Sequence, residues 1–159
     1  MDHAIRIADG LEVSPAMAEL ERCADHWFAL CPETRQIPLV GAGDSRLMEA
    51  QLPATWGLID EVHRIARLRF GGVGRIIHAR IGKLRPGGQV PPHRDGRDGV
   101  IERRYQIALQ SEAGAELTVA GSAIRLRLGE AWWLDVSQLH SVRNNSRADR
   151  IVALFDTRI

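Results

Sequence analysis

The second half of the chain is a succession of short apolar segments separated by turn residues, and this pattern constrains the fold most strongly. Glycine, proline and asparagine clusters fall between the segments, and short strands at such spacing are typical of a sandwich or barrel. The predicted strands number eight: Val73–Leu84, Val90–Arg94, Arg103–Gln110, Ala115–Val119, Ser122–Leu128, Glu130–Asp135, Leu139–Val142 and Arg150–Phe155. Eight strands in this length of chain suit a double-stranded jelly roll, so the predicted fold class is mainly β with N-terminal helices.

The first half of the chain shows helical periodicity instead. Ser14 before Pro15 is typical of an N-cap, and apolar residues then recur at helical spacing until Pro32. A second amphipathic helix is predicted to begin near Pro53 or Ala54 and to end at the glycine pair that starts at position 71. We expect these two helices to cover one outer face of the jelly roll.

Length and composition predict one globular domain. The chain has 159 residues, of which 45% are hydrophobic. We predict a mostly helical support segment over residues 1–72 and a jelly-roll core over residues 73–159. The formal net charge of +1 predicts no bulk attraction to nucleic acid or to a membrane surface.

The cysteine count and the N-terminal composition indicate the compartment. The only two cysteines, Cys23 and Cys31, predict reduced thiols rather than a secreted disulfide framework. The N-terminal residues include charges and no long apolar run, so we expect neither a signal peptide nor a membrane span. The expected location is the cytoplasm.

Two histidines and one aspartate form the strongest candidate site. Residues two apart on a strand point to the same side, so His93 and Asp95 can project into one cavity, and His140 follows on a later strand. Two histidines and a carboxylate make the facial triad of non-heme iron(II) oxygenases, which leaves other coordination positions open. Each residue alone has an ordinary structural explanation, but the combination in this order predicts an iron site.

Arg150 begins the last predicted strand. If Val152 and Leu154 face the interior, strand alternation directs Arg150 inward as well. A buried guanidinium needs a partner, and its planar shape matches a carboxylate through two parallel hydrogen bonds. The distal carboxylate of 2-oxoglutarate is such a partner.

Six stretches between residues 84 and 156 resemble the aspartyl/asparaginyl β-hydroxylase family of 2-oxoglutarate-dependent oxygenases. They are Leu84–Gly88, His93–Asp95, Arg103–Leu109, Gly129–Asp135, His140–Asn144 and Asp149–Asp156. The resemblance implies a cupin-like double-stranded β-helix that binds Fe(II). It also implies 2-oxoglutarate and dioxygen as co-substrates and the hydroxylation of an unactivated C–H bond.

By the same resemblance, His93, Asp95 and His140 bind the iron and Arg150 binds the co-substrate. Some members have glycine where Asp95 stands, whereas this chain has a complete triad. A second basic residue of the family, which contacts the other end of the co-substrate, falls on Arg104. Strand alternation is equally consistent with a solvent-facing position for Arg104.

Four further features of the sequence have possible structural or functional roles. Adjacent Trp132 and Trp133 are predicted to pack in the core, and Asn144 to shape a turn. Arg94, Arg97 and Arg103 flank the triad and are candidates to meet an acidic substrate, and the glycine-rich segment 96–102 is a candidate lid.

The substrate class expected from the resemblance is an aspartyl or asparaginyl side chain in a peptide or protein, or a free amino acid or its derivative. Two alternatives stay open: a metal-dependent cupin enzyme that uses no 2-oxo acid, and a non-enzymatic jelly-roll binding or sensing module. A nucleic-acid demethylase is disfavoured, because its second arginine would fall on Asp156 and the chain lacks a basic footprint.

Overall fold

Eleven strands and two α-helices make up the part of the chain that the computed structural model describes, residues 2–96 and 103–158. The helices are α1 (Ser14–Arg22) and α2 (Pro53–Phe70). The strands are β1 (Ala4–Ala8), β2 (Phe28–Cys31), β3 (Thr34–Pro38), β4 (Arg75–Leu84), β5 (Gln89–His93), β6 (Arg103–Gln110), β7 (Ala115–Val119), β8 (Ser122–Ile124), β9 (Ala131–Leu134), β10 (His140–Asn144) and β11 (Arg150–Arg158). The candidate lid lies outside the described residues except for Gly96.

The strands form two facing antiparallel sheets. The major sheet has the order β1-β9-β6-β11-β4-β3-β2, and the minor sheet has the order β5-β10-β7-β8. An apolar cluster joins the sheets at one end, where Leu84 and Ala108 of the major sheet meet Leu117 and Val142 of the minor sheet. This arrangement is a double-stranded β-helix, so the predicted fold class is confirmed.

All eight predicted strands are present, as β4 to β11. The bounds Arg103–Gln110 and Ala115–Val119 match those predicted. The strand predicted over Ser122–Leu128 ends at Ile124, and the last strand continues beyond Phe155 to Arg158. The alternation of residue types along these strands could be recognised in the sequence because each strand has one face toward a packed core.

The prediction of a mostly helical segment over residues 1–72 is wrong in part. The first helix ends at Arg22 rather than at Pro32, and β1, β2 and β3 all join the major sheet. Pro32 lies instead in the turn of the β2–β3 hairpin, whose strand β3 pairs with β4. The residues between Cys23 and Cys31 fit helical spacing, but the free edge of β4 supplies backbone partners that no local pattern reveals.

The two helices cover the outer face of the major sheet, as predicted. Ala16 and Leu20 of α1 and Ile59 and Val62 of α2 join one buried cluster with strand residues that include Phe155. Within the ranges the structure describes, neither helix is long and apolar enough to span a membrane.

Buried Glu19 of α1 links the two helices. Its carboxylate accepts hydrogen bonds from the backbone N–H groups of Ala54 (2.5 Å) and Thr55 (2.9 Å) and from the Thr55 hydroxyl. The residue before the helix, Leu52, provides no side-chain cap, so Glu19 satisfies the free amide groups at the N-terminus of α2.

The predicted roles of Asn144 and the two tryptophans agree with the structure. The Asn144 side chain is buried and donates to the carbonyl groups of Leu84 and Ala148. Its backbone bonds to the β4–β5 turn, where Gly87 has a φ of +75° that favours glycine. Trp133 packs against the helix-side cluster and Trp132 against the cluster between the sheets.

Candidate metal and co-substrate site

The three predicted metal ligands lie together at the open end of the space between the sheets. His93 ends β5, and His140 begins β10 directly opposite it in the antiparallel register. Asp95 follows β5, and its backbone N–H donates to the carbonyl of Val136 at 2.9 Å. Strand pairing and this one loop contact therefore bring residues 45 positions apart in sequence to one point.

The three side chains converge at a spacing that suits a single metal ion. The Asp95 Oδ2 atom is 3.7 Å from His93 Nε2 and 3.6 Å from His140 Nε2. One ligand atom from each residue lies within 4.8 Å of the others. Ligands at about 2.1 Å from a metal are roughly 3 Å apart at right angles, so a small inward movement gives a facial arrangement.

Both histidines present Nε2 as a free electron pair. The Nδ1 atom of His93 is 2.8 Å from the carbonyl oxygen of Pro91, and that of His140 is 2.9 Å from the carbonyl of Gln138. A carbonyl can only accept, so Nδ1 must carry the proton in each ring. This second hydrogen bond selects the tautomer that binds metal through Nε2.

The environment of His140 keeps its imidazole neutral. The side chain is only 6% exposed, and burial lowers its pKa, to which the nearby His93 adds in the same direction. The His93 side chain is 39% exposed and lies toward solvent. The pair therefore forms a site with a buried floor at His140 and an accessible side at His93.

The triad opens into a cavity of about 1330 Å³ between the two sheets. Apolar side chains such as Leu117 and Val142 of the minor sheet and Val152 and Leu154 of β11 form much of its wall. Ligand sites of about 300–1,000 Å³ hold typical small molecules, so this cavity has room for more than one of them.

Arg150 lies in the wall of the same cavity, as predicted. It is on the inner face of β11, 5% exposed, and its Nη2 donates to Gln106 Oε1 at 2.9 Å. No carboxylate of the described residues lies within 4.0 Å of it. Burial lowers the pKa of its guanidinium to about 10. This is a desolvated cation aimed into a cavity.

Arg104 is also buried in the cavity wall, which excludes the solvent-facing alternative for it. It donates to both carboxylate oxygens of Asp156, at 2.7 and 3.0 Å, and to Asp95 Oδ2 at 2.5 Å. Its contact with the co-substrate remains a prediction. What the structure shows directly is a bidentate ion pair between Arg104 and Asp156, together with a single bond from Arg104 to Asp95.

Asp156 was not predicted as a site residue. It is fully buried and also accepts a bond from His78 Nδ1 at 3.2 Å. Burial alone opposes its ionisation, but the bonds from His78 and Arg104 more than offset this and hold the pKa of Asp156 below its usual value. The result is a chain of contacts from His78 to Asp95 through two buried charges.

We expect Asp156→Asn to lower the free energy of unfolding by about 2–4 kcal/mol at pH 7, because it removes one charge of a buried pair. An acid with a depressed pKa contributes stability that is lost as pH falls through its folded pKa. The difference from wild type should therefore shrink below about pH 4. Urea unfolding at several pH values measures it, with exposed Asp25→Asn as the matched control. A difference that stays constant down to pH 2 contradicts the ion-pair explanation.

Among the residues of β4 that line the cavity, three alternate along the strand and were not predicted as site residues: His78, Arg80 and Gly82. Their even spacing places them on one strand face. This even spacing is visible in the sequence, but the sequence alone does not indicate that this face of β4 points into the cavity. The flanking arginines Arg94 and Arg103 line no part of the described cavity wall, and Arg97 lies outside the described residues.

Solved structures with the same fold are oxygenases in several cases. An oxidoreductase of the 2OG-Fe(II) oxygenase family from Burkholderia pseudomallei has a TM-score of 0.72 at 13% identity, covering 97% of this chain and 83% of that one. A Pseudomonas putida prolyl-4-hydroxylase has a TM-score of 0.69 at 14% identity, covering 99% and 94%. The collagen prolyl hydroxylase of Paramecium bursaria Chlorella virus-1 has 0.70 at 11%, covering 99% and 97%. At such identities the likeness shows the shared fold.

The family comparison uses sequence rather than shape. The family model for aspartyl/asparaginyl β-hydroxylases matches residues 22–158, which include every predicted site residue. No curated protein sequence matches the chain. The match covers most of the chain and agrees with the motifs around the triad, Arg104 and Arg150. The chain therefore belongs to the aspartyl/asparaginyl β-hydroxylase family of Fe(II)- and 2-oxoglutarate-dependent oxygenases.

Proposed function

We propose that His93, Asp95 and His140 bind Fe(II), and that Arg150 binds the C5 carboxylate of 2-oxoglutarate. The proposed reaction is hydroxylation of the β-carbon of an aspartyl- or asparaginyl-type substrate. One observation carries this proposal. Three convergent side-chain atoms that could bind a metal and the buried guanidinium of Arg150, which has no carboxylate of the described residues beside it, lie in one cavity. We also propose the cytoplasm as its location, in keeping with the free thiols Cys23 and Cys31.

The donor set fits iron(II). Two neutral imidazoles and one carboxylate on the same side of a site leave further positions for a 2-oxo acid and dioxygen, and this is the ligand set of non-heme Fe(II) oxygenases. When bound, the iron supplies the oxidation of the C–H bond, coupled to the conversion of 2-oxoglutarate and dioxygen to succinate and carbon dioxide. The protein side chains supply ligand geometry, orientation and a chamber partly closed to water.

Each proposed site residue has a distinct task. The carbonyl groups of Pro91 and Gln138 hold the histidine rings in the metal-binding tautomer. Arg104 holds Asp95. Gln106 accepts one hydrogen bond from Arg150, which lines the cavity, and the proposed task of the guanidinium is a bidentate bond to a carboxylate there.

Gly82 supports a co-substrate position between the triad and Arg150. It is on the inner face of β4 opposite Val152, and an added Cβ would meet only Val152 Cγ2, at 3.7 Å. The backbone of Gly82 does not have a positive φ, so its conformation does not require glycine. The missing side chain therefore enlarges the cavity, which is the simplest physical role for glycine on a strand face.

The buried charge of Arg150 distinguishes the proposed function from the two alternatives. A cupin enzyme without a 2-oxo acid, or a binding module, has no need of a desolvated cation beside the metal ligands, and a buried unpaired charge is costly to keep. Succinate release that depends on 2-oxoglutarate distinguishes the three. The proposed substrate class is the one for which the matching family is described, whereas the prolyl hydroxylases that share the fold act on proline.

The test is turnover with Fe(II), 2-oxoglutarate and ascorbate over a panel of amino acids and peptides, with succinate and hydroxylated product both measured. Gly82→Leu should reduce turnover at least about 100-fold by filling the co-substrate position, whereas Gly82→Ala should retain most of it. Wild-type protein that loads Fe(II) but releases no succinate, with or without a panel member, would disprove the proposed function. Equal activity of the leucine variant would contradict the co-substrate position.

A further inference from the structure

Arg80 is a second cation in the cavity, and the proposed iron and co-substrate sites give it no role; among the described residues it has no salt-bridge partner. It lies on the inner face of β4, opposite Leu154 of β11. Its one hydrogen bond to a described side chain is a long contact, 3.5 Å from Nη1 to His78 Nε2. Burial lowers the pKa of its guanidinium, and the charge of nearby Arg104 adds to that effect. The carboxylates of Asp156 and Asp95 oppose this shift only from a distance, since both are bound by Arg104 and no carboxylate of the described residues lies within 4.0 Å of Arg80. A guanidinium without a direct anionic partner is unfavourable in this position.

Positive charge is concentrated in this cavity although the whole chain is nearly neutral. Among the described residues that line it, seven are arginine or lysine and three are aspartate. Those aspartates are engaged already: Asp44 pairs with Arg75 at 3.1 Å, and Asp95 and Asp156 pair with Arg104. The cavity therefore keeps a net positive charge after its internal ion pairs are counted, and this charge attracts anions.

Arg80 and Arg150 occupy different places on the same wall. In the register of β11, Arg150 pairs with Leu84 and Leu154 pairs with Arg80. The two arginines are therefore four strand residues apart, about 13 Å between backbone positions. Arg80 is nearer to the buried charges, because His78 contacts both it and Asp156. A carboxylate bound at Arg80 would lie on the opposite side of the co-substrate position from Arg150.

We propose that Arg80 binds a carboxylate of the primary substrate and so selects acidic substrates over their amides. This inference rests on the proposed function and narrows it, because it favours an aspartyl-type over an asparaginyl-type group. The fork of N–H donors on arginine matches a carboxylate in two parallel bonds, whereas an amide offers one acceptor and no charge.

The test compares acids with their amides on the same protein. L-Aspartate, L-glutamate and an aspartyl tripeptide, each with its amide counterpart, are titrated calorimetrically into protein loaded with 2-oxoglutarate and redox-inactive Zn(II). We expect at least one acid to bind about 10-fold or more tightly than its amide. Arg80→Gln should remove that preference, and Arg80→Lys should restore part of it. Exposed Arg125→Gln is the matched control.

Three outcomes overturn the proposal: no acid binds more tightly than its amide, Arg80→Gln leaves the preference unchanged, or Arg80→Gln weakens 2-oxoglutarate binding as much as it weakens acid binding. The last result would assign Arg80 to the co-substrate. Failure of the proposed function is seen separately, because wild-type protein with Fe(II) would then release no succinate from 2-oxoglutarate under any condition of the panel.

Discussion

His140→Ala is expected to abolish metal-dependent turnover, with a loss of about 10³-fold or more, because it removes one of the three proposed iron ligands. His140 is the most buried of the three, and its neutral imidazole is held by a carbonyl group. Water cannot replace it with the same orientation, so we expect Fe(II) affinity to fall together with activity. Metal content after dialysis and the initial rate of succinate release measure the two effects.

His93→Ala should behave in the same way, although its more exposed position allows water or added imidazole to restore part of the metal binding. The matched control is His26→Ala, which changes an exposed histidine far from the cavity wall and should alter neither quantity. Full iron content in the His140→Ala protein would show that the three side chains do not share one metal.

Arg150→Met is expected to raise the concentration of 2-oxoglutarate required for half-maximal rate by roughly 30- to 1000-fold. Truncation of one partner of a buried charge pair costs about 2–4 kcal/mol, and Met keeps most of the volume of the side chain. Because Arg150 is not a metal ligand in the proposal, Fe(II) affinity measured without co-substrate should remain unchanged.

The same substitution should stabilise the protein when the co-substrate is absent. The guanidinium of Arg150 is desolvated, its pKa is lowered to about 10, and its one described partner is the neutral amide of Gln106. Its removal should raise the free energy of unfolding by about 1–2 kcal/mol after loss of the Gln106 bond. At a concentration that saturates the wild type, 2-oxoglutarate should raise the melting temperature of the wild type and not that of the variant.

Opposite signs for stability and co-substrate affinity are the signature of a residue kept for function. Arg125→Met, at an exposed position, should change neither. If Arg150→Met both destabilises the protein without ligand and leaves the 2-oxoglutarate requirement intact, Arg150 is a structural residue and the co-substrate site lies elsewhere.

The site residues were largely predictable. Each residue alone has several possible roles, but few roles explain the whole combination of residue types. His93, Asp95 and His140 could be selected from sequence by their side-chain chemistry and their order. The expected strand geometry was only approximate, because β5 ends at His93 and a loop contact with Val136 places Asp95. Arg150 could be placed inward from the alternation of Val152 and Leu154, and the structure agrees with that orientation. Asp156 ends one of the stretches that resemble the family, but its pairing with Arg104 across β6 and β11 depends on strand register.

The N-terminal half shows where such reasoning fails. The stretch from Trp27 to Cys31 was predicted to continue the first helix, yet Phe28–Cys31 form an edge strand, because the β2–β3 hairpin pairs with β4 through β3. Glu19 gave no sign of a buried position, since its partners are the backbone amides of another helix. Both outcomes depend on contacts between segments distant in sequence.

Local pattern by itself determined the eight strands of the core, the fold class and the identity of the candidate metal ligands, because alternation and side-chain chemistry act over a few residues. Only the tertiary structure decided which charges are neutralised inside the cavity. Arg104 has two aspartates while Arg80 and Arg150 have none among the described residues. The physical reason is that strand register sets the separation of ionised groups, and Coulomb energy and desolvation depend on that separation and not on sequence order.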